Sequence, residues 1–257
     1  MKTIILAGGL GTRISEETSD KPKPMVNIDS KPILWHLMGI YASQGFREFI
    51  LALGYKGEVI RRWLLDLHEL SENMTVDLTN GHVRNWSENK EIDWLIHAVE
   101  TGLNTQTAGR IKRSMECFPN ETMMATYGDG LGNVNLKDLI DFHKSHKKLV
   151  TVTAVRPPAR FGHMELDGNK VLHFGEKNQS DAGWINGGFF VIEPSILKYI
   201  NSDSEAFEKD VLPKLAKDNE LMAFYHEGFW QPMDTLSEKK FLESQAKMSP
   251  PPWLHNI

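Results

Sequence analysis

The run Thr3-Ile4-Ile5-Leu6-Ala7, followed at once by Gly8-Gly9-Leu10-Gly11-Thr12-Arg13, constrains this chain more than any other stretch. A short apolar run rich in Ile and Leu and ended by glycine reads as a buried strand. The glycines then free the backbone, so that successive peptide N–H groups can converge on an anion. Thr12 adds a hydroxyl and Arg13 a fork of donors. Taken alone, the glycines also suit a tight strand-to-helix turn with no chemical use. Two well-known phosphate loops do not fit. A P-loop ends in Gly-Lys-Ser/Thr, a triplet this chain lacks. A dinucleotide loop needs a third glycine where Ile14 stands, and an acidic residue at the second strand's end, where Leu53-Gly54-Tyr55 stands.

Lys23 follows within Lys21-Pro22-Lys23-Pro24-Met25. Prolines on both sides restrict the backbone and disfavour helix, which predicts an extended, stiff stretch suited to an aimed charge. Lys21 reads as a solvated neighbour. Further on, the apolar run 122–127 leads into Gly128-Asp129-Gly130. In a parallel sheet such a position faces the ligand crevice, and a carboxylate there can hold Mg²⁺ against phosphate oxygens. A hairpin turn is the plainer alternative. Asp234, in Phe229-Trp230-Gln231-Pro232-Met233-Asp234-Thr235, is the second candidate metal ligand, and capping of a helix at 236–246 is its competing role.

Apolar patterning predicts strands at 2–7, 46–53, 92–99, 122–127, 150–155 and 187–193. Helices are expected at 32–42, 57–70, 107–117, 135–147, 195–200, 204–217 and 236–246. Their alternation predicts an α/β fold with a mostly parallel sheet flanked by helices. Residues 71–90 are a polar β excursion with a hairpin turn at Asn80-Gly81, and 161–176 is rich in turns. Nothing in 1–257 demands a second domain. Trp35 and Trp63 read as core, while the ending SPPWLHNI reads either as a loose tail or as a segment docking on a partner through Trp253 and Leu254.

The formal charge of −5 argues against a nucleic-acid coat protein. The single cysteine, Cys117, permits neither an internal disulfide nor a thiolate zinc cluster, and a cytosolic setting is expected. No apolar run is long enough for a membrane span, and no His pair has metal-site spacing.

The start AGGLGTRISEET with the later PKPM resembles the signature of the sugar nucleotidyltransferases, and the likeness to the cytidylyl branch extends along the whole chain. The resemblance implies a Rossmann-like fold and a Mg²⁺-dependent reaction of CTP with glucose 1-phosphate that yields CDP-glucose and pyrophosphate. O-antigen dideoxysugar biosynthesis, a cytoplasmic location and a homo-oligomer belong to the same expectation; no nucleic acid or membrane does. Arg13 and Lys23 become the catalytic cations, placed on the β and γ phosphates, and Asp129 and Asp234 the metal ligands. Leu6, Ala7, Gly8, Gly9, Leu10, Gly11, Thr12 and Arg13, with Asn104, Gly109 and Gly128, become the nucleotide site. Gly109 is expected to let backbone meet the flat base, with Arg110 nearby. Glu176, Lys177, Asn186 and Gly187, in a part spanning about 156–235, take the sugar phosphate; on their own they read as surface turns. Uridylyl or thymidylyl transfer, or an idle nucleotide-sensing domain, are the rival readings.

Overall fold

Ile4 and Ile5 adjoin in sequence, yet each is fully buried in a different layer, because side chains alternate across a strand. β1 (Thr3–Leu6) therefore carries apolar side chains on both faces and sits centrally in a sheet covered on both sides. The computed structural model describes residues 1–70, 74–80, 82–85, 92–157, 162–167, 170–176 and 183–254.

After β1 come α1 (Ser15–Thr18), the small ribbon β2 (Asn27–Ile28) and β3 (Lys31–Pro32), and α2 (Ile33–Ser43). β4 (Glu48–Leu53) and α3 (Gly57–Leu70) continue the outward winding. The expected polar excursion is the hairpin β5 (Met74–Asp77) and β6 (His82–Asn85), after which β7 (Leu95–Glu100) rejoins the sheet. Its turn residue Gly81 lies outside the described residues. α4 (Thr107–Glu116) returns the chain to the far side of β1 as β8 (Met123–Tyr127). The order β7-β4-β1-β8 is parallel throughout. Winding reverses between β1 and β8, and at such a point a crevice opens beyond the strand C-termini.

The second half adds β9 (Gly130–Gly132), α5 (Leu136–His146) and β10 (Val150–Val155). The hairpin β11 (Gly162–Asp167) and β12 (Lys170–Glu176) occupies the stretch expected to hold turns and short alternations. β13 (Ile185–Asn186), β14 (Phe190–Ile192), α6 (Leu212–Lys217), β15 (Leu221–His226), β16 (Trp230–Pro232) and α7 (Leu236–Ala246) follow. β14 bridges β8 and β10 in antiparallel fashion, β13 also pairs with β10, and β15 lies parallel to β10. The sheet is thus mostly parallel and flanked by helices, with antiparallel members on one side.

Four local expectations change. Residues 187–193 do not form one strand: Gly188 and Phe189 take φ of 77° and 47°, which turns the chain between β13 and β14. That conformation is strained for phenylalanine, and burial holds it, with the ring stacked 5.7 Å from Tyr41. The helix expected at 195–200 is a 3-10 turn, Pro194–Tyr199, and the one at 204–217 opens as a π-helical turn, Phe207–Val211, before α6. Lys23-Pro24-Met25 forms one 3-10 turn rather than an extended stretch, because Pro24 supplies the φ that a first turn needs; only Pro22 is extended.

On one face of the sheet Ile5, Leu51 and Leu53 pack with α2 and Leu242 of α7; on the other Ile4, Ile50 and Ala52 pack with α4 and α6. Each such fully buried Ile or Leu contributes roughly 1.5–3 kcal/mol. Trp253 is fully buried against His36 and Phe229, so the C-terminal segment folds onto its own chain. Trp35 and Trp63 are only partly buried. No helix among the described residues is long and apolar enough to cross a membrane.

Candidate active site

β1 ends on a loop that stays tied to its neighbour. Ala7 N–H donates to the Ala52 carbonyl and Tyr55 N–H to the Gly8 carbonyl, both at 3.1 Å. Gly11 then takes φ 66°, and its Cα packs so closely on Thr18 and Lys23 that an added Cβ would lie 3.0 Å from Thr18 Cγ2. The Thr18 hydroxyl donates to the Gly11 carbonyl at 3.1 Å. Gly9, Leu10, Gly11, Thr12 and Arg13 therefore project as an ordered rim along a cleft of about 1110 Å³.

Asp129 follows β8 and Asp234 follows β16, and the antiparallel ribbon β9/β16 brings the two ends together: Pro232 pairs with Gly130, and Met233 N–H donates to the Asp129 carbonyl at 2.9 Å. Lys23 Nζ reaches both carboxylates, at 2.6 Å to Asp129 Oδ2 and 2.7 Å to Asp234 Oδ1. Arg13 Nη1 donates to Asp234 Oδ2 at 3.0 Å. Two cations and two carboxylates thus form one cluster. The Lys23 side chain is 11% exposed, Asp234 19% and Arg13 75%. A buried lysine is rare without such partners.

Burial works against the Lys23 ammonium, yet the charges and hydrogen bonds of Asp129 and Asp234 outweigh it and raise its pKa. Burial likewise opposes the Asp234 carboxylate, and the Lys23 and Arg13 bonds overcome it, so that pKa is lowered. Stability from Asp234 is therefore present above its ordinary value of 3.8 and is lost as pH falls through the depressed one. Stability from Lys23 is present below 10.5 and is lost only above the raised value. Lys23 and Asp234 both stay charged across neutral pH.

Asp234 does not cap α7. Thr235 does, in a capping box in which its hydroxyl accepts from Glu238 N–H, leaving the Asp234 side chain to the cleft. Leu6, Asn104 and Gly128 also line the cleft. Gly128 N–H donates to the Leu6 carbonyl at 3.2 Å, and a Cβ there would lie 2.7 Å from that oxygen, so β1 and β8 can meet only through glycine.

Three expected site residues do not line it. Gly109 faces the backbone of Asp203, where a Cβ would sit 2.7 Å from the Asp203 Cα; it serves helix packing rather than a flat base. Gly187 spends its N–H on the Thr153 carbonyl and its carbonyl on Trp230 Nε1, and packs on Val155. The Ala7 side chain is fully buried in the core. Asn186 is in the cleft. Glu176 ends β12, with its side chain outside what the structure describes, and Lys177 lies outside the described residues.

Arg110 is only 4% exposed, and its guanidinium is spent on the protein itself. It donates to Leu53 O, Thr101 Oγ1, Gly8 O and Leu103 O at 2.7–3.3 Å, joining the ends of β4 and β7 to the rim. A Cβ on Gly8 or Gly54 would collide with that guanidinium. Arg110→Lys keeps the charge but loses the fork. It should lower stability by about 1–2 kcal/mol, or roughly 3–8 °C in a thermal melt. An unchanged melt would contradict the anchoring role.

Tyr127, Glu208 and Thr107 also face the cleft, and no local motif marks them. They bond to each other and to Asn186 across 59 to 101 positions of chain, a separation that no local motif spans.

A glycine-rich rim with paired cations and carboxylates at a parallel-sheet crevice suits the handling of a nucleoside triphosphate. The chain belongs to the nucleotidyl transferase family, whose model matches residues 2–249. It is 44% identical over 255 residues to the glucose-1-phosphate cytidylyltransferase of Salmonella typhi, covering 98% of each chain. Among solved structures it resembles HddC from Yersinia pseudotuberculosis complexed with GMP-PN, with TM-score 0.66, 25% identity, and coverage of 96% of this chain and 99% of that one. A UDP-glucose pyrophosphorylase complexed with UDP-glucose has TM-score 0.65 at 15% identity, covering 95% and 97%, a likeness of fold alone.

Proposed function

We propose that this chain transfers a cytidylyl group from CTP to α-D-glucose 1-phosphate, releasing pyrophosphate and CDP-glucose. The convergence of Arg13, Lys23, Asp129 and Asp234 on one point of the cleft is the observation that carries a phosphoryl-centred reaction. The near full-length likeness to the Salmonella typhi cytidylyltransferase supports the choice of base and sugar.

A phosphate oxygen of the sugar 1-phosphate attacks the α-phosphorus of CTP in line. The new O–P bond forms as the bond to the β-phosphate oxygen breaks, and that oxygen leaves with the electron pair on pyrophosphate. A phosphate monoester has its second pKa near 6, so the nucleophile is already largely ionised at neutral pH and no general base is required. The chain's task is to hold two anions together and stabilise a third. The rim from Gly8 to Arg13 lies along the triphosphate, and exposed Arg13 reaches its outer phosphates. Lys23, within reach of both carboxylates, serves the reacting phosphate as well as the leaving group.

The donor set fits Mg²⁺. It takes one or two protein carboxylates and completes its shell with phosphate and water, and Asp129 and Asp234 point at a common centre. Among the described residues no group of three or more His, Cys, Asp or Glu forms a self-sufficient cage. When bound, the ion neutralises phosphate charge and polarises the α-phosphorus. Asn186 and the Glu176-Lys177 pair take the sugar phosphate. A cytoplasmic homo-oligomer supplying O-antigen dideoxysugar synthesis completes the reading.

A coupled pyrophosphate assay over four nucleoside triphosphates with glucose 1-phosphate, with and without Mg²⁺, tests it. CTP should be preferred by at least about tenfold, roughly 1.4 kcal/mol, and chelation should abolish release. Preference for UTP or dTTP would overturn the base assignment, and no release with any of the four would overturn the enzyme.

A further inference from the structure

We propose that Glu208 and Tyr127 are positioning residues that present the Asn186 amide to the hydroxyls of the sugar phosphate; this rests on the functional reading above. Glu208 stands in the π-helical turn Phe207–Val211, pinned by fully buried Phe207, and faces the cleft. Such wide turns recur where a side chain must be set at a functional site. Its two oxygens accept from the Tyr127 hydroxyl at 2.7 Å and the Thr107 hydroxyl at 2.8 Å. Phe207 N–H in turn donates to Thr107 Oγ1 at 2.7 Å.

A carboxylate can only accept, so both hydroxyls must donate to it. The Tyr127 oxygen is then left to accept, and it receives Asn186 Nδ2–H at 2.8 Å. At the other end of the amide, Gly188 N–H donates to Asn186 Oδ1 at 2.9 Å. A flipped amide would set its NH₂ against that N–H, so only one orientation is satisfied. Among the described residues one amide N–H and one Oδ1 lone pair remain without a partner, a neighbouring donor and acceptor suited to a vicinal diol. Asn186 is exposed in the cleft.

Glu208 thus engages one hydroxyl with each of its two oxygens. It also ties the two walls of the cleft together. The first turn of α4 has no side-chain cap; Gln106 N–H and Ala108 N–H donate instead to the carbonyls of Asp203 and Glu205. The Leu103–Thr107 wall and the Asn186 wall thus meet through one carboxylate.

The test is steady-state kinetics with CTP, glucose 1-phosphate and a set of singly deoxygenated glucose 1-phosphates. Tyr127→Phe and Glu208→Gln should raise KM for glucose 1-phosphate about tenfold while kcat stays within about threefold and KM for CTP within about twofold. Glutamine cannot accept from both hydroxyls without turning an N–H donor toward one of them. Thr107→Val should raise the same KM, and Thr107→Ser, which keeps the hydroxyl, should recover most of that loss. For at least one deoxy sugar, the KM penalty seen with wild type should vanish in Asn186→Ala and shrink in Tyr127→Phe, the coupling expected of positioning rather than of general damage. Equal losses in kcat and both KM values, or an undiminished deoxy penalty in Tyr127→Phe, would overturn the relay alone. A wild-type protein that makes no CDP-glucose overturns the functional reading and the relay with it.

Discussion

Lys23→Ala should slow cytidylyl transfer on the order of 100-fold while the protein still folds, because one fixed cationic donor to the developing phosphate charge is worth about 3 kcal/mol. The loss falls on kcat if Lys23 acts mainly in the transition state. A second consequence concerns the metal. The Lys23 ammonium bridges Asp129 and Asp234 at 2.6 and 2.7 Å, the position a cation between them would take. Without the lysine two carboxylates face each other unneutralised. Nucleotide-free Lys23→Ala should therefore bind Mn²⁺ about tenfold more tightly than wild type, read by calorimetry or electron paramagnetic resonance. Wild-type turnover in a folded variant would remove Lys23 from the mechanism, and unchanged Mn²⁺ binding would show that it does not compete with the ion.

Asp129→Asn should be as severe. The amide keeps the shape and the position after β8 but presents a neutral oxygen where a hard divalent cation prefers charge. We expect turnover to fall on the order of 100-fold, about 3 kcal/mol, with the Mg²⁺ titration midpoint moving to higher concentration. Lys23 also loses one of its two charged partners, so its ammonium is held less firmly near the reacting phosphate. Slow turnover with an unmoved metal titration would count against coordination and leave Asp129 as an anchor for Lys23 alone.

The sheet was legible because its strands are short apolar runs that alternate with amphipathic stretches, and burial enforces that pattern locally. The turn at Phe189 was not: a bulky residue at φ 47° violates local preference and persists only because the Tyr41 contact and full burial hold it there. The 3-10 turn at Lys23 was misread for a related reason. Proline on both sides restricts the backbone in two ways, and the choice between them falls to the packing of Met25 and Val26 into the core.

Gly8, Arg13, Lys23 and Asp129, which share the cleft, could be proposed from sequence because each stands beside its own backbone signal, either glycines or prolines. Asp234 was ambiguous until the capping box assigned helix capping to Thr235. Gly109 and Gly187 were misjudged for the opposite reason, since a glycine needed for packing looks the same in sequence as one needed by a ligand. The sequence by itself determined the alternation of strands and helices, the glycine-rich rim and the residue types of the charged cluster, all of which are written in local patterning. Only tertiary structure decided that β9 and β16 pair to bring Asp129 and Asp234 onto one lysine, and that Glu208 reaches Tyr127 and Thr107. Those contacts join segments up to 211 positions apart, and hydrogen-bond geometry at that range leaves no periodic trace in the chain.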